Sequence, residues 1–330
     1  MKAALFNTID TKENFLINIG SDLLAILLRD MTTGRNIIWA TDNYVQFGAD
    51  YSAEKEIKRE HITGRNGGII KPRTEKSRAE QQRRVRQKAE VFTPSWICNM
   101  QNNLVDEAWF GRKNVFNTEK EKGWEPTIGK IQFPGKEGGT WSDYIRSNRL
   151  EITCGEAPYL ASRYDAVTGK PIAVPCRIGL LDRKLRVAGE NTESAEDWKT
   201  QALAAVQSVY GFEWQGDNVL LARENLLLTV AEHYEEKFGG TLSERDLAEF
   251  AQVIAWNIWQ MDGLKFVVPN SCRTEEIAEE DLFERRVICK PCEGCKTGDD
   301  RKHNGIYCKI KDWKTNEIVR FVDLKKDGVI

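Results

Sequence analysis

Three short segments place a flexible or an acidic residue where a strand should end. The string RLEITCGEAPYL reads as an apolar strand, a tight turn around Gly155 and a helix start. The strand YGFEW carries Glu213 near its end, and the string QMDGL places Asp262 after a third apolar run. A carboxylate after the second strand can accept both ribose hydroxyls of a nucleoside cofactor, while the turn's backbone N–H groups face its other polar end. The order therefore favours a nucleotide-like cofactor site over an ordinary turn, with Trp214 lining its pocket.

A second constellation is the cysteine run near the end of the sequence. Its four cysteines have the spacing C-x2-C-x2-C-x12-C, with His303 nearby: Cys289, Cys292, Cys295 and Cys308. Thiolates at this spacing reach one metal ion, and zinc favours four ligands in a tetrahedral site. We expect these four cysteines to hold a structural zinc ion, with an iron–sulfur cluster or free thiols as the alternatives. The scattered cysteines are interpreted as buried or incidental: Cys98, Cys154, Cys176 and Cys272.

The segments that position these residues alternate between strands and helices. An irregular insertion with strand-like pieces, residues 161–191, follows the glycine turn. Next come a helix capped by Ser194 and the strand YGFEW. They are followed by a long helix over 218–238 that ends at two glycines, a helix capped by Ser243 and a strand at KFVVP. This alternation predicts an α/β fold with a parallel or mostly parallel sheet.

Two helix-forming segments precede the glycine turn. Residues 71–90 are basic and helix-prone, which is typical either of a solvated helix face or of a surface that contacts DNA phosphates. The candidate phosphate contacts are Arg83, Arg84, Arg86 and Lys88. In the string VFTPSW, Thr93 is a good N-cap and Pro94 a good first helical residue.

The composition limits the classes of protein to consider. The chain has 330 residues, which is long enough for two lobes or one large α/β domain with additions. A net charge of −2 excludes a globally basic nucleic-acid binder, so nucleic acid would have to be bound by a local patch. The sequence contains no apolar run of about 18 residues and no signal-peptide pattern, and we expect a cytoplasmic protein. Eight cysteines in such a chain favour metal ligands or buried thiols over disulfides.

Four motifs together resemble the adenine-specific DNA methyltransferases of restriction–modification systems, of the modification (M) subunit type. They are VFTPSW, EITCGEAPYL, YGFEWQGDNVLLARENLL and NIWQMDGL, and the resemblance covers about residues 85–270. It implies a Rossmann-like domain that binds S-adenosylmethionine and methylates N6 of adenine in double-stranded DNA. Phe92, Thr93 and Pro94 match the family's first motif. Its glycine-turn motif is matched by Glu151, Cys154, Gly155 and Ala157. Glu213 matches the ribose-binding acid and Asp262 the acid near the cofactor's adenine.

The sequence departs from the family pattern at two places. Glu156 and Ala157 stand where the family has Ser-Gly. Glu156 is therefore expected to bring a carboxylate near the methionine end of the cofactor. Ala157 occupies a position where glycine would accept a positive φ more readily. The Asn/Asp-Pro-Pro-Tyr/Phe loop, which contacts the flipped adenine in that family, is missing, because the sequence contains no Pro-Pro pair. We therefore expect a second polypeptide, or a missing continuation of the chain, to supply the catalytic loop or target recognition, and name no catalytic residue.

These observations predict an α/β protein of three parts. Residues 1–88 form a mixed N-terminal lobe with a basic helix, residues 89–285 the S-adenosylmethionine-binding methyltransferase-like domain, and residues 286–330 a Cys-rich zinc module. The predicted function is the cofactor-binding part of a DNA adenine-N6 methyltransferase, as a restriction–modification M subunit. The alternative is a non-catalytic DNA-binding or assembly subunit with a zinc module and a degenerate cofactor pocket.

Overall fold

The computed structural model describes residues 13–20, 22–88, 90–135, 139–280 and 285–325. Within these ranges the helices are α1 (Glu13–Ile19), α2 (Leu23–Leu28), α3 (Arg59–Ile62), α4 (Arg78–Lys88), α5 (Ser95–Phe110), α6 (Trp141–Arg146), α7 (Leu180–Asn191), α8 (Ala195–Gln207), α9 (Gly216–Phe238), α10 (Glu244–Asn257) and α11 (Glu293–Thr297). The strands are β1 (Asn117–Lys120), β2 (Gly123–Pro126), β3 (Arg149–Glu151), β4 (Val209–Glu213), β5 (Ile258–Gln260), β6 (Glu275–Glu280), β7 (Arg285–Lys290), β8 (Lys309–Asp312) and β9 (Glu317–Arg320). The predicted mixed α/β class is confirmed.

A three-stranded parallel sheet organises the centre of the fold. Its strand order is β3-β4-β5, and the pairs β1–β2, β6–β7 and β8–β9 form separate antiparallel hairpins. Pairing continues past the strand ends, because the Cys154 N–H donates to Phe212 O at 2.9 Å and the Met261 N–H to Glu213 O at 3.0 Å. The carboxyl ends of all three strands therefore meet at one edge, where ligands of parallel α/β sheets bind.

The third strand of the sheet ends just before Asp262, where an apolar run was expected to end. The further strand expected at KFVVP does not belong to the sheet, because β5 is formed by Ile258, Trp259 and Gln260 immediately after α10. Val267, inside the KFVVP string, forms only isolated bridges, with Asp262 and with Tyr307. The apolar periodicity of α10 runs without a break into the strand, so a local pattern does not show where the helix ends.

Local capping signals located two helices well. The Ser194 hydroxyl accepts the Asp197 N–H at 3.0 Å at the start of α8. Ser243 and Asp246 form a capping box at the start of α10. The last helical residue of α9 is followed by Gly239 with a φ of 68°, which ends the helix as the two glycines predicted.

Helix α7 corrects the prediction of an irregular segment there. Three consecutive charged residues on it are buried, and a sequence pattern reads such residues as exposed. Asp182 accepts from the Ser162 hydroxyl at 3.0 Å and lies 3.0 Å from His233 Nε2, and Arg183 donates to Asp106 at 2.5 Å. Lys184 donates to the Ser208 hydroxyl. Partners that are distant in sequence make this helix possible, because buried charges need such pairing.

The long helix α9 joins the N-terminal segment to the sheet. Every residue from Gly216 to His233 is buried, and one apolar core extends from Leu16 to Ile258. The Arg223 guanidinium is fully buried and donates to four backbone carbonyls, including Leu27 O at the end of α2 and Ala255 O near the end of α10. A cation at the carboxyl ends of two helices satisfies carbonyls that lack helical partners and opposes their dipoles.

The basic helix α4 does not present all its arginines to solvent. Arg84 is buried, donating to Glu90 at 3.1 Å and to the Tyr44 hydroxyl at 2.9 Å and lying 2.8 Å from the Asp217 carboxylate. The expectation that Arg84 contacts DNA phosphates is therefore wrong, because its charge is used inside the protein. Arg83 is exposed.

Arg86 and Lys88 are the remaining two candidate phosphate contacts on α4. Arg86 is exposed, like Arg83. The side chain of Lys88 lies outside the described residues. The candidate phosphate-binding surface therefore keeps two of its four members in the described part of the chain.

Replacing Arg84 should destabilise the protein far more than replacing its neighbour. In Arg84→Ala, two buried carboxylates lose their main partner, and we expect a loss of about 3–5 kcal/mol in the free energy of unfolding. Arg83→Ala, one position away on the exposed face, should stay within about 0.5 kcal/mol of the unmodified protein. Urea unfolding followed by far-ultraviolet circular dichroism measures both. Equal effects of the two variants would contradict the buried network.

The same network predicts an acid-dependent loss of stability. Burial alone would raise the pKa of Asp217, but Arg84 and Lys76 lower it to about 2. Because this folded pKa lies below the unfolded value of about 3.9, the stabilisation is present above about pH 4 and is lost as the pH falls towards 2. Unfolding free energies measured across that window should fall less steeply for Asp217→Asn. Parallel curves for both proteins would show that Asp217 is not responsible.

Candidate functional site

A cavity of about 1470 Å³ opens at the carboxyl edge of the parallel sheet. Residues that follow each of its three strands line this cavity, together with parts of the N-terminal segment and α5. Most of the cofactor residues predicted from sequence contribute to the lining: Phe92, Thr93, Glu151, Cys154, Gly155, Glu213, Trp214 and Asp262. Pro94 and Ala157 do not line it; Ala157 is fully buried and Pro94 precedes the first residue of α5.

The glycine turn and the acid after β4 are bonded directly to each other. The Gly155 N–H donates to Glu213 Oε2 at 3.0 Å, and the Gln215 N–H donates to Glu213 Oε1 at 3.1 Å. Each carboxylate oxygen can accept further bonds, so Glu213 retains acceptor capacity towards the cavity that it lines. Burial raises the pKa of Glu213.

Three residues in and next to the turn adopt left-handed backbone conformations. Thr153 has a φ of 47°, Gly155 a φ of 54° and Ala157 a φ of 60°. Alanine disfavours this conformation, as expected from the sequence, yet Ala157 adopts it at a cost of about 1–2 kcal/mol. The turn is held by the Ala157 N–H, which donates to Cys154 O at 2.7 Å. The shape of a tight turn is therefore reached without a second glycine.

The carboxylate of Glu156 is not directed into the cavity. It accepts the Arg73 N–H at 2.6 Å and the Tyr164 hydroxyl at 2.7 Å, and Glu156 is absent from the lining. Burial raises its pKa, while Lys76 and these two hydrogen bonds oppose that shift. The expectation that Glu156 brings a carboxylate into the cofactor pocket is therefore wrong.

A second buried carboxylate lies at the end of β3. Glu151 accepts the Leu160 N–H at 3.2 Å and the Tyr159 N–H at 3.4 Å. Burial raises its pKa well above the ordinary value, and the nearby Glu213 adds to the shift. The floor of the cavity thus carries two acidic groups that release a proton less readily than exposed carboxyls.

Asp262 begins a turn after β5. Its Oδ1 accepts the Leu264 N–H at 3.0 Å, and its Oδ2 lies 3.6 Å from Lys265 Nζ. Its main-chain N–H donates to Val267 O at 2.8 Å. The carboxylate both shapes its own loop and faces the cavity.

The segment before α5 is capped differently from the prediction. Thr93 was expected as the N-cap, but Pro94 occupies that position and the Ser95 N–H donates to the Asp165 carboxylate at 2.8 Å. A Cβ atom added at Gly155 would lie 3.6 Å from the ring of Phe92, so the ring packs close to the glycine turn. A carboxylate 70 residues away in sequence therefore fixes the helix start beside the glycine turn.

The N-terminal segment contributes to the cavity, which the sequence did not predict. Ala40, Thr41 and Asp42 line the cavity, and the Trp214 indole N–H donates to Ala40 O at 3.2 Å. Nothing in the types or spacing of these three residues signals this role. Their position depends on the packing of the segment against the residues after β4.

A separate group of possible metal ligands lies beyond β5. The ligand atoms of Cys272, Cys292, Cys295 and His303 all lie within 4.8 Å of one another; we call these four residues the Cys3His group. It differs from the predicted set, because Cys272 and His303 take the places given to Cys289 and Cys308. Cys289 is exposed, and the Cys308 thiol is buried and contacts Gln260 O at 3.4 Å.

The distances within the Cys3His group suit one tetrahedral ion. His303 Nδ1 lies 3.5 Å from Cys292 Sγ, 3.6 Å from Cys272 Sγ and 3.7 Å from Cys295 Sγ. Zinc–sulfur bonds of about 2.3 Å and zinc–nitrogen bonds of about 2.0–2.1 Å at a tetrahedral angle would separate sulfur and nitrogen by about 3.6 Å. This part of the chain could therefore hold a metal ion.

Local features also favour a thiolate at this place. Burial would raise the pKa of Cys292, but hydrogen bonds from the Asn304 and Cys295 N–H groups and from His303 lower it to about 6. A side chain at Gly294 would approach His303 Nδ1 to 2.6 Å, so only glycine allows the loop to close. Thiolates, not thiols, are metal ligands.

Comparisons with known proteins do not assign a role to the cavity or to the Cys3His group. In the described part of the chain, no helix is long and apolar enough to cross a membrane. Searches against protein-family models, curated proteins and solved structures find no significant match.

Proposed function

We propose that the protein binds S-adenosylmethionine in the cavity, as the cofactor-binding part of a DNA adenine-N6 methyltransferase of a restriction–modification system. The observation that carries the proposal is the bond between Gly155 and Glu213 inside one cavity at the carboxyl edge of a parallel sheet. It brings a glycine turn and an acid together as a nucleoside cofactor requires.

The lining offers a partner for each end of such a cofactor. Glu213 would accept the ribose hydroxyls, and Trp214 and Asp262 would contact the adenine. Phe92, Thr93 and Glu151 lie on the side of the glycine turn, where the resemblance places the methionine end. The cofactor supplies an activated methyl group on its sulfonium; these side chains bind and orient it.

The sheet supports a Rossmann-like interpretation. Its strands run parallel in the order β3-β4-β5, so the three motif-bearing strands are neighbours in chain order. Consecutive parallel strands joined by helices are the repeating unit of dinucleotide-binding folds. The proposed site lies at the edge where such folds bind their ligands.

The cavity has room for more than a cofactor. Its volume of about 1470 Å³ exceeds the roughly 300–1,000 Å³ of typical small-molecule sites. A flipped adenine from double-stranded DNA would fit this space. Because the sequence has no Pro-Pro pair, the proposal assigns the base-contacting loop to a second polypeptide. Arg83 and Arg86 on α4 remain as candidate contacts to DNA phosphates.

For the Cys3His group we propose a structural zinc ion. The nitrogen–sulfur distances of 3.5–3.7 Å are those of two ligands on one ion, which favours a single metal over an iron–sulfur cluster. The segment between the cysteines is polar and cannot form an apolar core of its own. Metal binding would supply the folding free energy that such a core supplies elsewhere. The ion would join segments on both sides of the β6–β7 hairpin.

Calorimetric titration should detect S-adenosylmethionine binding and its dependence on Glu213. Glu213→Gln removes the charge that would accept the ribose hydroxyls, and hydrogen bonds to charged groups contribute about 1.5–3 kcal/mol, so affinity should fall on the order of 10- to 100-fold. Glu236→Gln, at an exposed position of α9, should bind like the unmodified protein.

The outcome that would end the cofactor proposal is the lack of any binding by the intact, metal-loaded chain. In that case the non-catalytic DNA-binding or assembly alternative gains support. Thermal unfolding of Glu213→Gln separates loss of binding from loss of structure, since the replaced carboxylate also accepts two backbone N–H groups.

Metal analysis should find about one zinc ion per chain. Cys295→Ser removes a ligand and should abolish stoichiometric binding, whereas Cys289→Ser, which alters an exposed thiol outside the Cys3His group, should retain it. Zinc loss in Cys289→Ser with retention in Cys295→Ser would restore the ligand set expected from sequence. An absorption band in the visible range would indicate an iron–sulfur cluster instead.

A further inference from the structure

The loop that follows β5 belongs to both sites. Residues 262–265 line the cavity, and the same chain reaches the first cysteine of the Cys3His group at Cys272. We propose that zinc bound by the Cys3His group positions the 262–265 loop, so that metal loading controls the affinity of the cavity for its ligand. The identity of that ligand rests on the proposed function; the positioning of the loop does not.

Backbone pairing connects the loop to the segment that carries His303. The Val268 N–H donates to Ile306 O at 2.8 Å, and the Cys308 N–H donates to Phe266 O at 3.0 Å. Residues 266–268 and 306–308 therefore run side by side, with an antiparallel bridge between Val267 and Tyr307. A displacement of the second segment would move the first.

Two members of the Cys3His group, Cys272 and His303, lie where this backbone pairing ends. Further along, the Ile306 N–H donates to the Ser271 hydroxyl at 3.0 Å, and the Arg273 N–H donates to Asn304 Oδ1 at 3.1 Å. Cys272 lies between Ser271 and Arg273, and His303 precedes Asn304. One ion bound by both residues would therefore cross-link the two segments where their side-chain bonds end.

Lys265 connects the charges of the two sites. Its ammonium group lies 3.6 Å from Asp262 Oδ2 and also interacts with the Cys295 sulfur. Three thiolates and a neutral imidazole on a divalent ion carry a net charge of −1, since three negative charges meet two positive ones. The single positive charge of Lys265 offsets half of the combined charge of −2 from the metal group and the Asp262 carboxylate.

Backbone strain at Phe266 adds to the need for this support. Phe266 has a φ of 59°, a conformation that costs free energy for a bulky aromatic residue, whereas Asn270, also at 59°, is a residue type that adopts it readily. Strained residues persist where the surroundings hold them on both sides. The Asp262 turn holds one end of this segment, and Cys272 would hold the other through the metal.

Hydrogen–deuterium exchange on the full chain tests the positioning directly. In the zinc-loaded protein, amides of residues 262–268 should exchange on the order of tenfold more slowly than after chelation of the metal. Cys289→Ser, whose thiol lies outside the Cys3His group, should keep the slow exchange of the zinc-loaded protein. Unchanged exchange in 262–268 on metal removal, with faster exchange in 292–303, would overturn the inference.

A lysine variant tests the connection without altering a ligand. Lys265→Met leaves all four ligands of the Cys3His group in place and should keep one zinc per chain. Loss of the charge beside Asp262 in the cavity lining should weaken S-adenosylmethionine binding on the order of tenfold. Chelation should weaken binding at least as much. Affinity unchanged in both cases would overturn the inference, as would the absence of zinc binding.

The two proposals fail in different ways. If the zinc-loaded chain binds no S-adenosylmethionine but residues 262–268 still lose protection on chelation, the proposed cofactor is wrong and the positioning role stands. If S-adenosylmethionine binds equally well with and without zinc, the cofactor assignment stands and the positioning role is wrong.

Discussion

The hydrogen bond from the Gly155 N–H to the Glu213 carboxylate depends on a single constraint, the parallel pairing of β3, β4 and β5. Parallel pairing brings the carboxyl ends of the strands to one edge, so a turn after one strand and an acid after the next become neighbours. In an antiparallel arrangement of β3 and β4, the two residues would lie at opposite ends of the sheet. The cavity and its acidic floor therefore follow from strand direction.

Buried charges build the frame around that sheet. Arg84 and Asp217 join α4 to the start of α9, and Arg223 joins the ends of α2 and α10. Each of these groups would be costly alone, and each is compensated by hydrogen bonds or by an opposite charge. The residues next to these contacts, among them Glu90 and Gln215, line the cavity, so the charge network also shapes the site.

The Cys3His group shows how a set of potential metal ligands can be close to its sequence pattern and still differ from it. Cys292 and Cys295 lie in the predicted run, where a short loop brings two sulfurs together. Cys272 lies 20 residues before Cys292 and has no spacing signal, yet backbone pairing of its segment with the one that begins at His303 brings it within reach. Cys308 is drawn away, because its side chain packs into an apolar cluster with Phe212 and Trp259.

The sequence by itself determined the features that depend on a few consecutive residues. These are the α/β alternation, the caps at Ser194 and Ser243, the glycine end of α9, and the order of a glycine turn and two acids along the chain. Hydrogen bonds between residues three or four apart encode such signals, so they can be read locally. The family resemblance rests on this order together with the VFTPSW motif that precedes the glycine turn.

Tertiary structure decided the features that depend on distances between remote segments. Arg84 is buried, and the charged segment at Arg183 forms a helix. Asp165 caps α5, and Cys272 and His303 lie with Cys292 and Cys295 as potential ligands. A charge is stable inside a protein, and a thiol is a ligand, only when its partner lies within a few ångströms. That distance is set by packing, which the order of residues along the chain does not record.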